Sequence, residues 1–296
     1  MTLLSYLISG ISLGSVYAII ALGYTMVYGI AKMLNFAHGD IIMVGAYVIF
    51  TSVATMGLPP ALAVILAIIF CTILGVVIEK IAYRPLRNAA SSLAVLITAI
   101  GVSYFLQNIA LLIFGTNTKA FSSVIDIPAI KIGSEANAII ISGETQVTII
   151  CCLLIMVFLT LFINKTKAGQ AMLAVSEDKG AAILMGINVN KTIALTFAIG
   201  SALAAIAGAL LCSAYPALNP YTGSMPGIKA FTAAVFGGIG SIPGALIGGL
   251  LLGIIEILGK AYISSQLADA IVFLVLIVVL VVRPTGILGK KMQEKV

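Results

Sequence analysis

The chain has 296 residues, 61% of them hydrophobic, yet only 16 are Lys or Arg and 10 Asp or Glu, where a soluble domain of this length would carry roughly 74 charges. A mean hydropathy of +1.21 and uncharged runs longer than about 18 residues exclude a soluble globular protein, a disordered chain, a nucleic-acid-binding domain and a secreted disulfide scaffold. The net charge of +6 sits in residues gathered between apolar runs, as membrane-orientation signals do, and needs no anionic partner.

In chain order, charge-free windows run from Met1 to Ala31, Ile41 to Ile78, Asn88 to Thr118, Thr145 to Asn164, Thr192 to Ile228 and Ala230 to Ile255. A helix needs about 20 residues to cross the hydrocarbon core, so several windows hold more than one element. With a last apolar run near Ser265 to Val282, they predict one all-α domain over 1–296, a polytopic bundle of about eight crossing or partly crossing segments. The first segment has no Lys or Arg before it and no small-x-small cleavage site, so it is expected to stay in the mature protein. Its "GISLG" matches the nucleophile-elbow pattern around Ser12, but that motif needs a strand before it; inside an apolar helix Gly10 and Gly14 read as a small-x-x-x-small packing surface. Further rows at the same spacing include Gly200, Ala204 and Gly208, and Gly244 with Gly248.

"LNFAHGD" (Leu34 to Asp40) follows. The apolar run after it, Ile41 to Gly57, has 17 residues and reaches about 25 Å, short of a core about 30 Å thick. A spanning helix must therefore begin inside the motif, which puts Asn35, His38 and Asp40 at or just within the membrane. Two readings stand: a pathway or gate lining, or a cytoplasmic turn in which Asp40 near the helix N-terminus favours the dipole. Pro59 and Pro60 turn the chain back. The loop at 116–144, with two lysines against three acids, is expected to be external.

The polar stretch 164–191 is too polar to span. In "SEDKGAAILMG", Ser176 suits an N-cap, Glu177 and Asp178 the first turn, and Gly186 the C-terminal stop of a short helix with exposed Ile183, Leu184 and Met185. Such a helix lies on the membrane surface or plugs into a partner. A second interruption, "YPALNPYTGSMPG" (Tyr215 to Gly227), precedes "GGIGSIPG" (Gly237 to Gly244). Paired interruptions of hydrophobic segments point to a substrate path. Gly237, Gly238, Gly240 and Pro243 are accordingly candidate pathway or gate residues, although Pro243 and Pro216 also fit simple kinks.

Ten of the sixteen Lys and Arg fall at Arg84 and Arg87, at Lys165, Lys167, Lys179 and Lys191, and at Arg283, Lys290, Lys291 and Lys295, which should be cytoplasmic. Alternation then fails near the end unless one late segment does not cross. The glycine-broken Phe231 to Gly253 is the expected exception, with its break near the bilayer midplane.

One histidine rules out multi-histidine metal sites, and neither a P-loop nor H-E-x-x-H occurs, so no metal, cofactor or enzymatic activity is expected. The cysteines Cys71, Cys151, Cys152 and Cys212 lie in apolar runs and read as small core residues. Glu256 and Lys260, four apart, are expected to pair on one helix face. A proton-coupled transporter would draw on Asp40, His38 or Asp269.

"LNFAHGDIIMVGAY" (Leu34 to Tyr47), "SEDKGAAILMGINVNK" (Ser176 to Lys191), "TFAIGSALAAIAG" (Thr196 to Gly208) and "FTAAVFGGIGSIPGALIGG" (Phe231 to Gly249), in order, resemble the permeases of branched-chain amino acid ABC transporters, most closely the H-type subunit. The resemblance implies an importer of the bacterial cytoplasmic membrane, in contact with its lipid: a second related permease, two cytoplasmic ATPases and an extracytoplasmic binding protein for leucine, isoleucine or valine. Ala181, Ala182 and Gly186 match the loop that docks on the ATPase, with Gly180 where the pattern has Glu. Permeases for urea and short amides share much of this pattern.

Overall fold

The computed structural model describes residues 2–87, 92–132 and 139–289. In chain order its helices are α1 (Thr2–Ala31), α2 (His38–Ala54), α3 (Pro60–Ile78), α4 (Ser92–Phe114), α5 (Gly143–Lys165), α6 (Lys167–Glu177), α7 (Lys179–Leu184), α8 (Val189–Ala214), α9 (Ser224–Gly237), α10 (Ile242–Tyr262) and α11 (Ala268–Val282). A π turn (Glu79–Tyr83) and a 3-10 turn (Arg84–Leu86) extend α3, giving a continuous stretch from Pro60 to Leu86. Among the described residues, six stretches are long and apolar enough to cross a membrane, and α2 and α11 are shorter apolar helices of 17 and 15 residues. The bundle is a helical polytopic membrane fold, and α3, α4 and α5 turn Ile69, Ile73, Leu112, Leu154 and Phe158 outward as a lipid-facing wall.

Lipid tails give helices no hydrophobic reason to associate, so close backbone packing has to hold this bundle together. The central seam is α1 against α10, antiparallel. A Cβ added to Gly10 would lie 2.8 Å from Ile254 Cα, and one on Gly14 would lie 2.8 Å from Leu250 Cα. Gly253 rests against Gly14, and Gly249 lies so close to Ala18 that a Cβ there would come within 2.5 Å of its Cα. Other crossings use the same device: Gly208 against Ile42, Gly200 against Gly23 and Val27, Gly248 against Ala233, and Gly244 against Gly237. Gly253→Val should push α1 and α10 apart, at about 1 to 3 kcal/mol or more for an overpacked contact. The check is the melting midpoint of the detergent-purified chain, which should fall by several degrees.

The α1–α10 register also locates the glycine break. Gly10 faces Ile254, and at the far end of α1 Gly29 faces Gly240, with a Cβ on Gly29 3.2 Å from Gly240 Cα. Nineteen residues of helix separate the two contacts, about 28 Å of rise, so Gly240 lies near the C-terminal end of α1. This corrects the expected midplane break. Phe231 to Gly253 is not one non-crossing element: α9 ends at Gly237, Gly238 and Gly240 turn with φ of +104° and +93°, and the 21-residue α10 starts a full crossing. At 14 residues α9 covers about 20 Å, less than a full crossing. Pro243 stands in the first turn of α10, where its missing N–H has no partner to lose, so it does not kink a helix.

One end of the bundle collects Lys179, Arg84 and Arg87, and residues 287 and 288 return there to donate N–H bonds of 3.0 Å to Phe236 and Gly237. Lys290, Lys291 and Lys295 lie outside the described residues. The opposite end carries the Tyr6–Tyr262 edge contact at 5.9 Å and two short antiparallel pairs. Lys119–Ala120 pairs with Ala217–Leu218, and Ile130–Ile132 with Ile139–Ile141.

Candidate functional site

After α1 ends, Lys32 adopts φ +58° and the chain runs back beside the helix that precedes it. Residues 33–37 are non-helical, and α2 begins at His38 level with Gly23, about 12 Å from the end of α1. The helix thus starts inside "LNFAHGD", within the bundle. Asn35, His38 and Asp40 are 2%, 1% and 2% exposed. Tyr83 donates its hydroxyl proton to Asn35 Oδ1 at 2.9 Å, and Gln107 Nε2 donates to Asp40 Oδ1 at 2.8 Å. The His38 ring meets Tyr24 edge-on, with centroids 4.6 Å apart. No side chain caps α2 at Ala37, and Asp40 occupies its first turn, where a carboxylate offsets the exposed amides.

The second interruption meets the first at this point. Residues 219–223 lead into α9, whose first turn lies against the first turn of α2: a Cβ on Gly39 would lie 2.6 Å from Gly223 O, and one on Gly227 would lie 2.9 Å from Gly39 Cα. Gln107 Nε2 also reaches Ser224 Oγ at 3.3 Å, so one amide bridges the two helix starts. Phe231, further along the same face of α9, packs on Tyr24 and Phe36 with centroids 5.7 and 5.9 Å away. Glycine is required here because any side chain would separate the two backbones.

The structure does not bring Gly237, Gly238, Gly240 and Pro243 to this centre. Those residues lie beyond the other end of α9, about 20 Å away by helical rise, against Gly244, Gly289 and Gly29. Pro243 is exposed.

The 164–191 stretch holds two helices where the sequence pointed to one. Thr166 caps α6, its Oγ1 accepting from Gly169 N–H at 3.0 Å, and Gly169, Met172 and Val175 form its buried stripe. Ser176 and Glu177 therefore end α6 and do not start α7; Ser176 Oγ donates to Leu173 O at 2.7 Å. The cap is Asp178, whose Oδ1 accepts from Gly180 N–H at 2.8 Å and Ala181 N–H at 3.0 Å. An ionised carboxylate out-competes a serine hydroxyl for two free amides. Gly186, at φ +80°, closes α7: its N–H reaches Ile183 O and that of Ile187 reaches Ala182 O, both at 2.9 Å, which is a Schellman stop. Ala182 is buried and Ala181 exposed, while Leu184 and Met185 stand 89% and 81% exposed.

Lys179 Nζ donates to Ala31 O at 3.1 Å, which ties α7 to the end of α1. Burial, with Arg87 and Lys32 nearby, pushes its ammonium below the usual lysine range. Beside it Glu79, fully buried in the π turn, pairs with Arg84 at 3.0 Å and with Arg87, which also reaches Asn190 at the start of α8. Gly186→Leu should strain the left-handed stop by about 1 to 2 kcal/mol and tilt the exposed apolar tip. Limited proteolysis should cut faster at Ile183 to Met185 in the variant, while membrane fractionation shows normal insertion.

Sequence reasoning also missed a charged cluster. Glu256 Oε1 accepts from Lys229 at 2.8 Å and from the expected partner Lys260 at 2.6 Å; Oε2 accepts from Tyr17 at 2.8 Å. Lys229 also pairs with Asp269 at 2.6 Å. A charge inside an apolar helix is the available signal, but the partners of Lys229 are 27 and 40 residues away, on α10 and α11.

A family model described as the branched-chain amino acid transport system permease component matches residues 6–280. The chain belongs to this family. It is 48% identical to the high-affinity branched-chain amino acid transport system permease protein LivH of Salmonella typhimurium, over 99% of this chain and 97% of that one. It is 47% identical to the corresponding protein BraD of Pseudomonas aeruginosa, over 99% and 98%. The probable permease protein LivH of Methanocaldococcus jannaschii is 30% identical over 92% and 88%. The chain is thus a transport permease component and a multi-pass protein of the cytoplasmic membrane.

Proposed function

We propose that the chain is a permease subunit of an ATP-binding-cassette importer that conducts branched-chain amino acids, and that it works with a second related permease, two cytoplasmic ATPases and an extracytoplasmic amino-acid-binding protein. The observation that carries this reading is the meeting of two interrupted helices, α2 and α9, inside the bundle of a branched-chain amino acid permease. Their first turns touch backbone to backbone and are bridged by Gln107, so a small movement of α9 opens or closes a path there. The basic end faces the cytoplasm under the positive-inside rule, which presents Ile183, Leu184 and Met185 of α7 to an ATPase groove. Ala181, Ala182 and Gly186 shape that tip, and Ser176 and Glu177 support it from the end of α6. Asn35, His38 and Asp40 line the junction. Gly237, Gly238 and Gly240 let the end of α9 pivot on the cytoplasmic side.

No step requires chemistry from this chain; the energy comes from the ATPases. The complete transporter in proteoliposomes, offered leucine, isoleucine, valine, urea and acetamide, tests the reading. Uptake of the three amino acids should require ATP and binding protein and should persist when an ionophore collapses the proton gradient. Uptake driven by that gradient without ATP would favour a secondary transporter, and uptake of urea alone would move the substrate.

A further inference from the structure

The charged cluster of α9, α10 and α11 borders a cavity of about 230 Å³ between α1, α8, α9 and α10, toward the end opposite the basic one. Glu256 lies six residues before the end of α10 and Lys260 two, and the wall includes Tyr215 and Ala217 from the connection after α8. The cavity therefore lies on the outward side of the α2–α9 junction. Helix α9 separates the two: Met225 and Lys229, one turn apart, face the cavity, whereas Ser224, Gly227 and Phe231 face α2 and Tyr24.

Charges at this depth are costly and demand an account. Stability does not supply one, since a buried ion pair seldom gains over apolar packing and the glycine seam already joins α1 to α10. The donor count points elsewhere. An ammonium carries three N–H donors; the pairs with Glu256 and Asp269 occupy two on Lys229, and the pair with Glu256 occupies one on Lys260. Glu256 Oε2 accepts one bond, from Tyr17, and retains a lone pair. Donors for a carboxylate and an acceptor for an ammonium thus stand together in the wall of the cavity, which also includes the apolar side chains of Leu13, Leu211 and Met225.

We propose that Lys229, Lys260 and Glu256 form a zwitterion-reading site in the permease itself, one that takes a free α-amino acid with an aliphatic side chain. Lys260 and Lys229 hold the α-carboxylate, Glu256 with Tyr17 holds the α-ammonium, and the side chain lies on Leu13, Leu211 and Met225. The ligand class rests on the function proposed above; the site rests on the cluster and the cavity. Because binding loads the Lys229 face of α9, it also biases the helix whose other face closes the junction.

The test is ligand-induced thermal stabilisation of the detergent-purified full chain, with no binding protein present. L-leucine at about 10 mM should raise the melting midpoint by several degrees, as binding to the folded state does. Leucinol, which lacks the carboxylate, and 4-methylpentanoate, which lacks the ammonium, should each give less than about a third of that shift. Lys260 is 37% exposed, so Lys260→Met should leave the ligand-free midpoint unchanged and abolish the leucine shift, and Lys260→Arg should retain it. No shift in the wild type, equal shifts with all three compounds, or a full shift in Lys260→Met would each overturn the site. Leucine uptake by the complete transporter is measured in parallel: uptake without a shift discards the site and keeps the importer, whereas urea uptake without leucine uptake discards the substrate.

Discussion

Gly39→Val is expected to abolish productive transport while the protein still inserts and folds. A Cβ at Gly39 would lie 2.6 Å from Gly223 O, a distance no ordinary Cβ contact shows, and the nearest atoms are backbone of α9 and its approach, which cannot rotate away. The added methyls therefore displace the start of α9 and disfavour the closed junction by about 1 to 3 kcal/mol. A bias of that size changes the ratio of closed to open arrangements by about 5- to 160-fold, so the junction is held parted. ATP-driven uptake should fall about tenfold or more, and ATPase activity without substrate should rise. Gly101→Val, on α4 where a Cβ would meet nothing within 4 Å, is the control and should transport normally. Normal uptake in Gly39→Val would remove the junction from the path.

The second large effect is expected at Glu79. Its carboxylate is fully buried between Arg84 and Arg87. Arg84 is 35% exposed and contributes little, but the Arg87 side chain is only 10% exposed and would be left as a buried charge without its counter-ion. Removing one partner of such a pair costs about 3 to 5 kcal/mol. Glu79→Ala should lower the melting midpoint of the purified chain sharply and, because Arg87 also holds Asn190 at the start of α8, loosen the connection beside α7. Asp126→Ala, on an exposed connection, should melt as the wild type does.

What the sequence made legible follows from what is local in a membrane helix. The deficit of charge identifies the bilayer as solvent. The 17-residue run after "LNFAHGD" is too short to span, which forces a helix start into the motif, and α2 begins at His38. Gly186 terminates its helix because only the residue's own φ matters there. What could not be read depended on partners distant in sequence. The spacing of Gly10 and Gly14 shows a packing face but not that α10 fills it, and without that register the break at Gly238 to Gly240 cannot be given a depth. Ser176 and Asp178 both suit a cap; the choice falls to Asp178 because α6 packs Met172 and Val175 inward and carries Ser176 as its last turn. Lys229 stands in the sequence as an isolated charge, and its pairing with Glu256 and Asp269 is visible only once α10 and α11 surround it; the partners of Glu79 are near in sequence, but its full burial between them is not.

In the proposed mechanism α2 and α9 must part for substrate to pass. The double substitution Phe36→Cys and Phe231→Cys, at positions whose native rings lie 5.9 Å apart, tests this in a chain whose four native cysteines are replaced. Linking the two thiols with a short bis-methanethiosulfonate reagent, which bridges more than a direct disulfide can, should stop ATP-driven leucine uptake by the reconstituted transporter, and reduction should restore it. Unchanged uptake with the cross-link fully formed would contradict this mechanism.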